Sequence, residues 1–210
     1  METAVLIVVS YLVGSIPFGV IIAKRKGVDI MAVGSGNTGA TNVTRILGWR
    51  LGVTVFVFDI LKGIVPAAVA LYVTGSEDTA LVIGVVAVLG HMFSPFLKFK
   101  GGKGVATSVG ALLGSVPVVG AITFGVFFLV FFLSRIISLS ALVAAIAILV
   151  SGAVLAKSWV FFAVYGPLIV YVFVRHRSNI GRIIRGEEPK LDFKSKLGER
   201  DEEEDDDASV

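Results

Sequence analysis

Residues 104–134 read GVATSVGALLGSVPVVGAITFGVFFLVFFLS, a run of 31 residues without a charge. As one helix this run would be about 46 Å long at ~1.5 Å per residue. That overshoots a hydrocarbon core of about 30 Å. Ser115 and Pro117 sit near its middle, where a tight turn is favoured. The stretch therefore predicts two spans, a short one over 104–115 and a second over 117–134. Further apolar blocks of membrane-spanning length run over 3–23, 51–74, 80–97, 138–156 and 158–174. The expected fold class is an all-α polytopic membrane protein with seven transmembrane helices.

Charge supports the split. With seven spans and the N-terminus outside, one face receives Lys24, Arg25, Lys26, Arg45, Arg50, Lys98, Lys100, Lys103, Arg135 and the cluster from Arg175 to Arg185. The opposite face receives Glu77, Asp78, the Ser115 turn and Lys157. Basic residues concentrate on the cytoplasmic side of membrane proteins, which puts the C-terminus there too. Six spans would move Arg135 and everything after the last span to the other side and weaken the bias. The short span at 104–115 is expected to start inside the protein, below the membrane surface.

The whole composition agrees: 55% of the 210 residues are hydrophobic and the mean hydropathy is +0.89. With no cysteine, disulfides, thiolate metal sites and a cysteine nucleophile are excluded. The first block runs directly into Lys24, Arg25 and Lys26 without a small-residue cleavage site, so it is expected to be a retained span. Residues 1–186 carry a net charge of +10, whereas 187–207 hold 11 acidic and 4 basic residues. The expected organisation is thus a membrane domain over 1–190 and an acidic, disordered tail over 191–210. A basic membrane body suits anionic head groups or phosphorylated substrates. Nucleic acid does not fit, because the charges sit in short loops.

Three polar segments fall on the expected cytoplasmic face: GSGNTGATNVTR (34–45), GHMFSPFLKFKGGKGVATSVG (90–110) and RHRSNIGRIIRGEE (175–188). The first contains a GxGxxG match, but without a preceding strand it is no dinucleotide fingerprint. Its Ser35, Asn37, Thr38, Thr41 and Asn42 beside Arg45 suit phosphate or polyol recognition. The second lacks Walker spacing, since Gly104 follows Lys103, so ATP is not inferred. Its glycines are expected to expose backbone N–H groups to an anion beside the Lys103 ammonium, at the start of a helix near Val105. Lys98 and Lys100 need no role beyond anchoring at the membrane surface. In the third, His176 and Asn179 share a face if the last helix continues, and Glu188 is expected to pair with an arginine. His91, the other histidine, is expected to be a structural hydrogen-bonder, and two histidines make a metal site unexpected. Asp59 and Lys62, three apart in the second span, are expected to form an intrahelical pair under the same pocket.

Together the three segments resemble the bacterial membrane acylphosphate:glycerol-3-phosphate acyltransferase family, whose motifs are GSGNxGATNxxR, GHxFSxFLxFKGGKGVAT and HRxNxxRxxxGxE. The resemblance runs to about residue 190 and leaves out the acidic tail. It implies a seven-span enzyme of the bacterial inner membrane with its site facing the cytoplasm. The enzyme would transfer a fatty acyl group from acyl phosphate to the 1-hydroxyl of glycerol 3-phosphate, giving lysophosphatidate and phosphate, the first acylation of phospholipid synthesis. The catalytic set implied is Ser35, Arg45, Lys103, His176 and Asn179. Gly101, Gly102, Gly104, Asn37 and Ser138 would contact substrate, while Glu188, with Asp59 and Lys62, would be structural. No cofactor is implied. The partners would be the two substrates, membrane lipid and an enzyme supplying acyl phosphate.

Because acyl phosphate is a mixed anhydride, no covalent acyl-enzyme is required. The histidine-aspartate pattern of another glycerolipid acyltransferase class is absent, since Phe96 and Gly181 stand five residues after His91 and His176. A transporter of a phosphorylated solute is the rival reading. Transporters tend to bind at the midplane between repeated halves, whereas here the polar segments share one face and no internal repeat is found. A lipid-binding scaffold would need the basic charge but not this glycine, serine and asparagine arrangement.

Overall fold

The computed structural model describes residues 2–156 and 158–191. The acidic tail beyond residue 191 and Lys157 lie outside the described residues. Among the described residues the protein is all-helical. Five stretches are long and apolar enough to cross a membrane: 2–24, 49–74, 77–97, 117–134 and 137–155. The pair Trp159–Arg175 and Arg177–Ile184, bent by 59°, makes a sixth if taken as one span, and Val105–Ser115 is a shorter apolar helix.

The first stretch is not one helix, as the block 3–23 predicts, but two: α1 (Glu2–Ser15) and α2 (Phe18–Lys24). Pro17, which has no N–H to donate, stands at the break. Next comes α3 (Ala40–Leu47), a short helix inside what reads as a polar loop. Its apolar residues Val43, Ile46 and Leu47 pack on Val20, Ala23, Ile30 and Val55. α4 (Trp49–Thr74) and α5 (Glu77–Met92) are joined by a tight turn in which Gly75 caps α4 at φ 64° and the Ser76 hydroxyl accepts the Thr79 N–H.

The uncharged run 104–134 is broken at Val116 into α6 (Val105–Ser115) and α7 (Pro117–Ser134), with Pro117 opening α7. α6 is too short to cross lipid alone and does not face it. Eight of its 11 residues are buried, from Thr107 to Leu112 plus Gly114 and Ser115. α8 (Ile137–Leu155), α9 (Trp159–Arg175) and α10 (Arg177–Ile184) complete the bundle. Its largest core joins α5, α6, α8 and α9 through Leu81, Val88, Leu112, Ile148, Phe161 and Tyr165. Large apolar side chains such as Phe132, Leu133 and Val154 are more than two-thirds exposed, the pattern of a surface solvated by lipid.

In lipid, helices associate by close packing of small residues rather than by hiding grease from water. α6 reaches α4 this way. A Cβ on Gly110 would fall on the Ile60 carbonyl, and one on Gly63 would fall on the Thr107 carbonyl. The backbones therefore touch, and α6 is set at the height that places its N-terminus, with Lys103 just before it, at one end of the bundle. Gly110→Val should destabilise the protein in detergent by more than the ~1–3 kcal/mol typical of overpacking, because the obstacle is backbone. An unchanged thermal transition would contradict this packing.

Candidate active site

The site is built at the ends of α5, α6, α9 and α10. α5 ends at Met92, and a 3₁₀ turn (Pro95–Leu97) reverses the chain. The loop then folds back under the end of α5. Gly101 N–H donates to the Met92 carbonyl at 3.0 Å, and Gly102 N–H to the His91 carbonyl at 3.1 Å. These glycine N–H groups are therefore not free for an anion, contrary to the expectation from sequence. They satisfy carbonyls that the helix C-terminus leaves unpaired. The glycines serve close approach: a Cβ on Gly102 would fall on the His91 ring, and one on Gly101 on the His91 carbonyl. Gly104 caps α6 at φ 86°, in the left-handed region that favours glycine. Among the described residues the N–H groups of Lys103 and Gly104 have no acceptor, so they and the α6 N-terminus remain for an anion.

Lys103 Nζ donates to Asn179 Oδ1, joining the second segment to the third. Asn179 is held in turn, its Nδ2 donating to Glu188 Oε1 at 2.6 Å. Ser138 Oγ donates to the same oxygen at 2.8 Å, and Arg182 Nε donates to Glu188 Oε2 at 2.7 Å. Burial pushes the Glu188 carboxyl up, but the hydrogen bonds from Asn179, Ser138 and Arg182 outweigh it and hold its pKa below the usual value. On the far side of the loop, Arg175 Nη2 donates to the Gly101 carbonyl at 3.0 Å.

Burial pushes the Lys103 ammonium down to about 8; Glu188 acts the other way, while Arg182, Arg175 and Arg45 add to the lowering. Arg45, from the first segment, is thus within electrostatic reach of Lys103. His176 stands at the 59° bend between α9 and α10, so it and Asn179 do not lie on one continuous helix. Its Nδ1 donates to the Val172 carbonyl at 2.8 Å, which leaves the Nε2 lone pair as the free acceptor. Burial and then Lys103 depress its pKa to about 4, with Val172 and Glu188 opposing and Arg175 adding. His176 is neutral at physiological pH.

The first segment is arranged by Asn42, which the sequence groups with the donors for phosphate or polyol recognition but which the structure buries and commits to backbone. Asn42, buried on α3, accepts the Ser35 N–H at 2.9 Å and donates to the carbonyls of Ile30 and Val33. Ser35 is exposed, and its hydroxyl has no partner among the described residues. Asn37 Oδ1 accepts the Gly39 N–H at 2.9 Å and so shapes the loop. Neither side chain bonds to the Lys103–Asn179–Glu188 group. Arg182, outside the catalytic and substrate-contacting set expected from sequence, bonds to that group at Glu188, and Arg175, also outside it, bonds to the neighbouring Gly101 carbonyl. Their signal in the sequence is the concentration of arginines in the third segment, at 175, 177, 182 and 185. Asp59 and Lys62 pair at 2.7 Å in α4, and Asp59 lies near His91, whose ring packs against the loop. Among the described residues no group of three histidine, aspartate or glutamate side chains is placed to hold a metal ion.

Arg182 thus pairs with the Glu188 carboxylate, and Arg45, Arg175 and Arg182 lie within electrostatic reach of Lys103, at the end of an apolar helical bundle. This defines a class, a polytopic membrane protein with a cationic polar site at one end of its helical bundle. The comparisons with known proteins define it further. A model of the family described as glycerol-3-phosphate acyltransferase matches residues 4–186. The glycerol-3-phosphate acyltransferase of Aquifex aeolicus is 45% identical over 197 residues, spanning 91% of this chain and 100% of that relative. That of Fusobacterium nucleatum subsp. nucleatum is 42% identical over 188 residues, 89% of this chain and 97% of the relative. The fold matches the crystal structure of PlsY (YgiH), an integral membrane glycerol 3-phosphate acyltransferase, in its glycerol 3-phosphate form. The TM-score is 0.86 at 40% identity, over 91% of this chain and 96% of that one. For the lysophosphatidic acid form of PlsY the TM-score is 0.83 at 39% identity, over 92% and 97%. The chain belongs to the glycerol-3-phosphate acyltransferase family.

Lys103 holds its charge below about pH 8 and loses it above. Affinity for sulfate, an anion that does not titrate in this range, should hold up to about pH 8 and then fall by up to about tenfold per pH unit as the ammonium deprotonates. Lys103→Arg, charged throughout, should remove that limb. Titration calorimetry in detergent from about pH 6.5 to about pH 9.5, a range that brackets the lysine's titration, checks both. An affinity flat across pH 8 in the wild type would contradict the assignment.

Proposed function

We propose that the protein transfers a fatty acyl group from acyl phosphate to the 1-hydroxyl of glycerol 3-phosphate, releasing lysophosphatidate and phosphate. Family membership makes it an acyltransferase with glycerol 3-phosphate as acceptor; the donor, the residue roles and the topology are our reading. The observation that carries it is the Lys103–Asn179 bond, which unites two segments within electrostatic reach of Arg45, Arg175 and Arg182. Both substrates bring phosphate to such a site.

In this reading Lys103 and Arg45 hold phosphate oxygens, and Asn179, fixed by Glu188, directs the Lys103 ammonium. Ser35, exposed on its loop, and Asn37 contact substrate when it arrives, and Gly101, Gly102 and Gly104 give the loop its close fold. Neutral His176 accepts the 1-hydroxyl hydrogen bond at Nε2 as the substrate docks and so places the oxygen; the O–H then turns to a phosphate oxygen as the hydroxyl oxygen attacks the acyl carbonyl. The new C–O bond forms as the bond between the carbonyl carbon and the phosphate oxygen breaks. The hydroxyl proton leaves with the phosphate, a better acceptor than a histidine whose pKa is about 4. Glu188, Asp59 and Lys62 are structural supports, and Ser138, expected from sequence to contact substrate, joins them because its hydroxyl is committed to Glu188.

The membrane domain, 1–190, spans the bacterial inner membrane seven times, with α6 as the short buried crossing. The N-terminus is outside, and the site and C-terminus are cytoplasmic. Support comes from the basic residues gathered around the site: Arg175 and Arg182 bond within it, and the Arg135 carbonyl accepts the Leu191 N–H at 2.8 Å. Acyl phosphate is a reactive anhydride and amphiphile, which favours direct supply by a partner enzyme at the same membrane.

The purified protein, given acyl phosphate and labelled glycerol 3-phosphate in detergent or lipid, should make lysophosphatidate without acyl-CoA. An absence of product, or an absolute need for acyl-CoA, would contradict the reading. Lys103→Ala should raise the KM for glycerol 3-phosphate by at least about tenfold, the loss of one charge-assisted contact of about 1.4 kcal/mol or more.

A further inference from the structure

A second polar cluster lies buried below the glycine-lysine loop. Asp59 and Lys62 pair at 2.7 Å with side chains at most 4% exposed. Lys62 Nζ also donates to the Ile16 carbonyl at 3.0 Å, at the break between α1 and α2, and lies 5.7 Å from the centre of the Phe18 ring. His91 Nδ1 stands 3.7 Å from Asp59 Oδ1. Ser94 Oγ donates to the Ser15 carbonyl at 2.7 Å, tying the end of α5 to the same break. Gly19, in the first turn of α2, abuts the Thr38 carbonyl so closely that a Cβ would fall on it, so the break also supports the first polar segment.

Burying an ion pair seldom adds net stability, since desolvation offsets the attraction. Inside a membrane span such a pair usually serves function. Its upper contact is His91. The His91 carbonyl takes the Gly102 N–H, and the His91 ring fills the space where a Gly102 side chain would go. Gly102 directly precedes Lys103, and Arg175 grips Gly101 from the other side. The loop is thus clamped in height by His91 below and Arg175 beside it.

We propose that His91, braced by the Asp59–Lys62 pair against the break in the first span, is a positioning residue that sets the height of Gly101–Gly102 and so the aim of Lys103. This rests on the reading of Lys103 as a ligand of the glycerol 3-phosphate phosphate. The charged pair thereby gains a role of its own. It links the first and second polar segments through one rigid group, so that Arg45 and Lys103 meet the same ligand.

The test is a double-mutant cycle on glycerol 3-phosphate affinity, read by calorimetry in detergent beside thermal unfolding. Gly102→Ala should weaken binding by about tenfold or more, because its methyl collides with the imidazole. His91→Ala should weaken it similarly, because the loop loses its support. The double variant should bind no worse than either single one, since the methyl enters the space the ring vacates. Additive losses, or wild-type affinity in either single variant, would overturn the proposal. Should His91→Ala not fold, His91→Asn replaces it in the cycle with the same expectations. Asp59→Leu with Lys62→Met removes both charges at similar volume. It should keep the unfolding temperature and still weaken binding by about tenfold, whereas unchanged affinity would overturn the bracing role. A wild type that binds glycerol 3-phosphate but gives additive variants removes this inference alone, while a wild type that does not bind it removes the reading of the site as well.

Discussion

The Glu188 carboxylate is the constraint on which the site depends. One side chain, brought back after α10, accepts from Ser138 on α8, Asn179 on α10 and Arg182 on α10. Its first oxygen serves two donors and its second serves a guanidinium. Hydrogen bonds to a charged group contribute roughly 1.5–3 kcal/mol each, enough to outweigh the cost of partial burial and keep the carboxyl ionised. Asn179, with its amide nitrogen committed to Glu188, has its oxygen turned toward Lys103. The aim of the lysine is therefore fixed by a residue in another segment, 85 positions along the chain.

The second constraint is the solvent. Lipid leaves no water to satisfy stray backbone groups, so loops near the membrane must pair their own N–H and C=O groups. The glycine-lysine loop does so by pairing Gly101 and Gly102 with the end of α5. That economy decides its chemistry. The N–H groups committed to α5 are lost to an anion, and among the described residues of the loop the Lys103 and Gly104 N–H groups stay unpaired. Close contact of α6 with α4 through Gly63 and Gly110 then carries the lysine at a fixed height. The broken first span, filled by Lys62 and Ser94 contacts, supports the same loop from below.

Much of this was legible in the chain. The division of residues 104–134 at Ser115–Pro117 follows from length and proline alone, and the structure breaks there at Val116. The three polar segments announced themselves by composition, and the structure brings Lys103, Asn179, Ser138 and Glu188 together. Other features depended on tertiary packing that no local pattern records. Helix α3 is hidden in a segment rich in threonine, asparagine and glycine, and it forms because Val43 and its neighbours find α2 and α4. The role of Asn42 is set by three backbone groups of a loop that precedes it. The bend at His176 cannot be read from spacing, which suggests a continuous helix face. Paired glycines beside Lys103 suggest free N–H groups, and the α5 carbonyls that claim them are visible only in three dimensions.

The second and third segments meet as one site because Glu188 orders Asn179 and, through it, Lys103. The most direct measurement is the glycerol 3-phosphate affinity of Glu188→Ala, taken by calorimetry near neutral pH on protein whose helical content is confirmed by circular dichroism. Loss of the shared acceptor should free Asn179 and misdirect Lys103, weakening binding by at least about 100-fold, the equivalent of two charge-assisted bonds. A fully helical Glu188→Ala protein that binds glycerol 3-phosphate as tightly as the wild type would contradict the account.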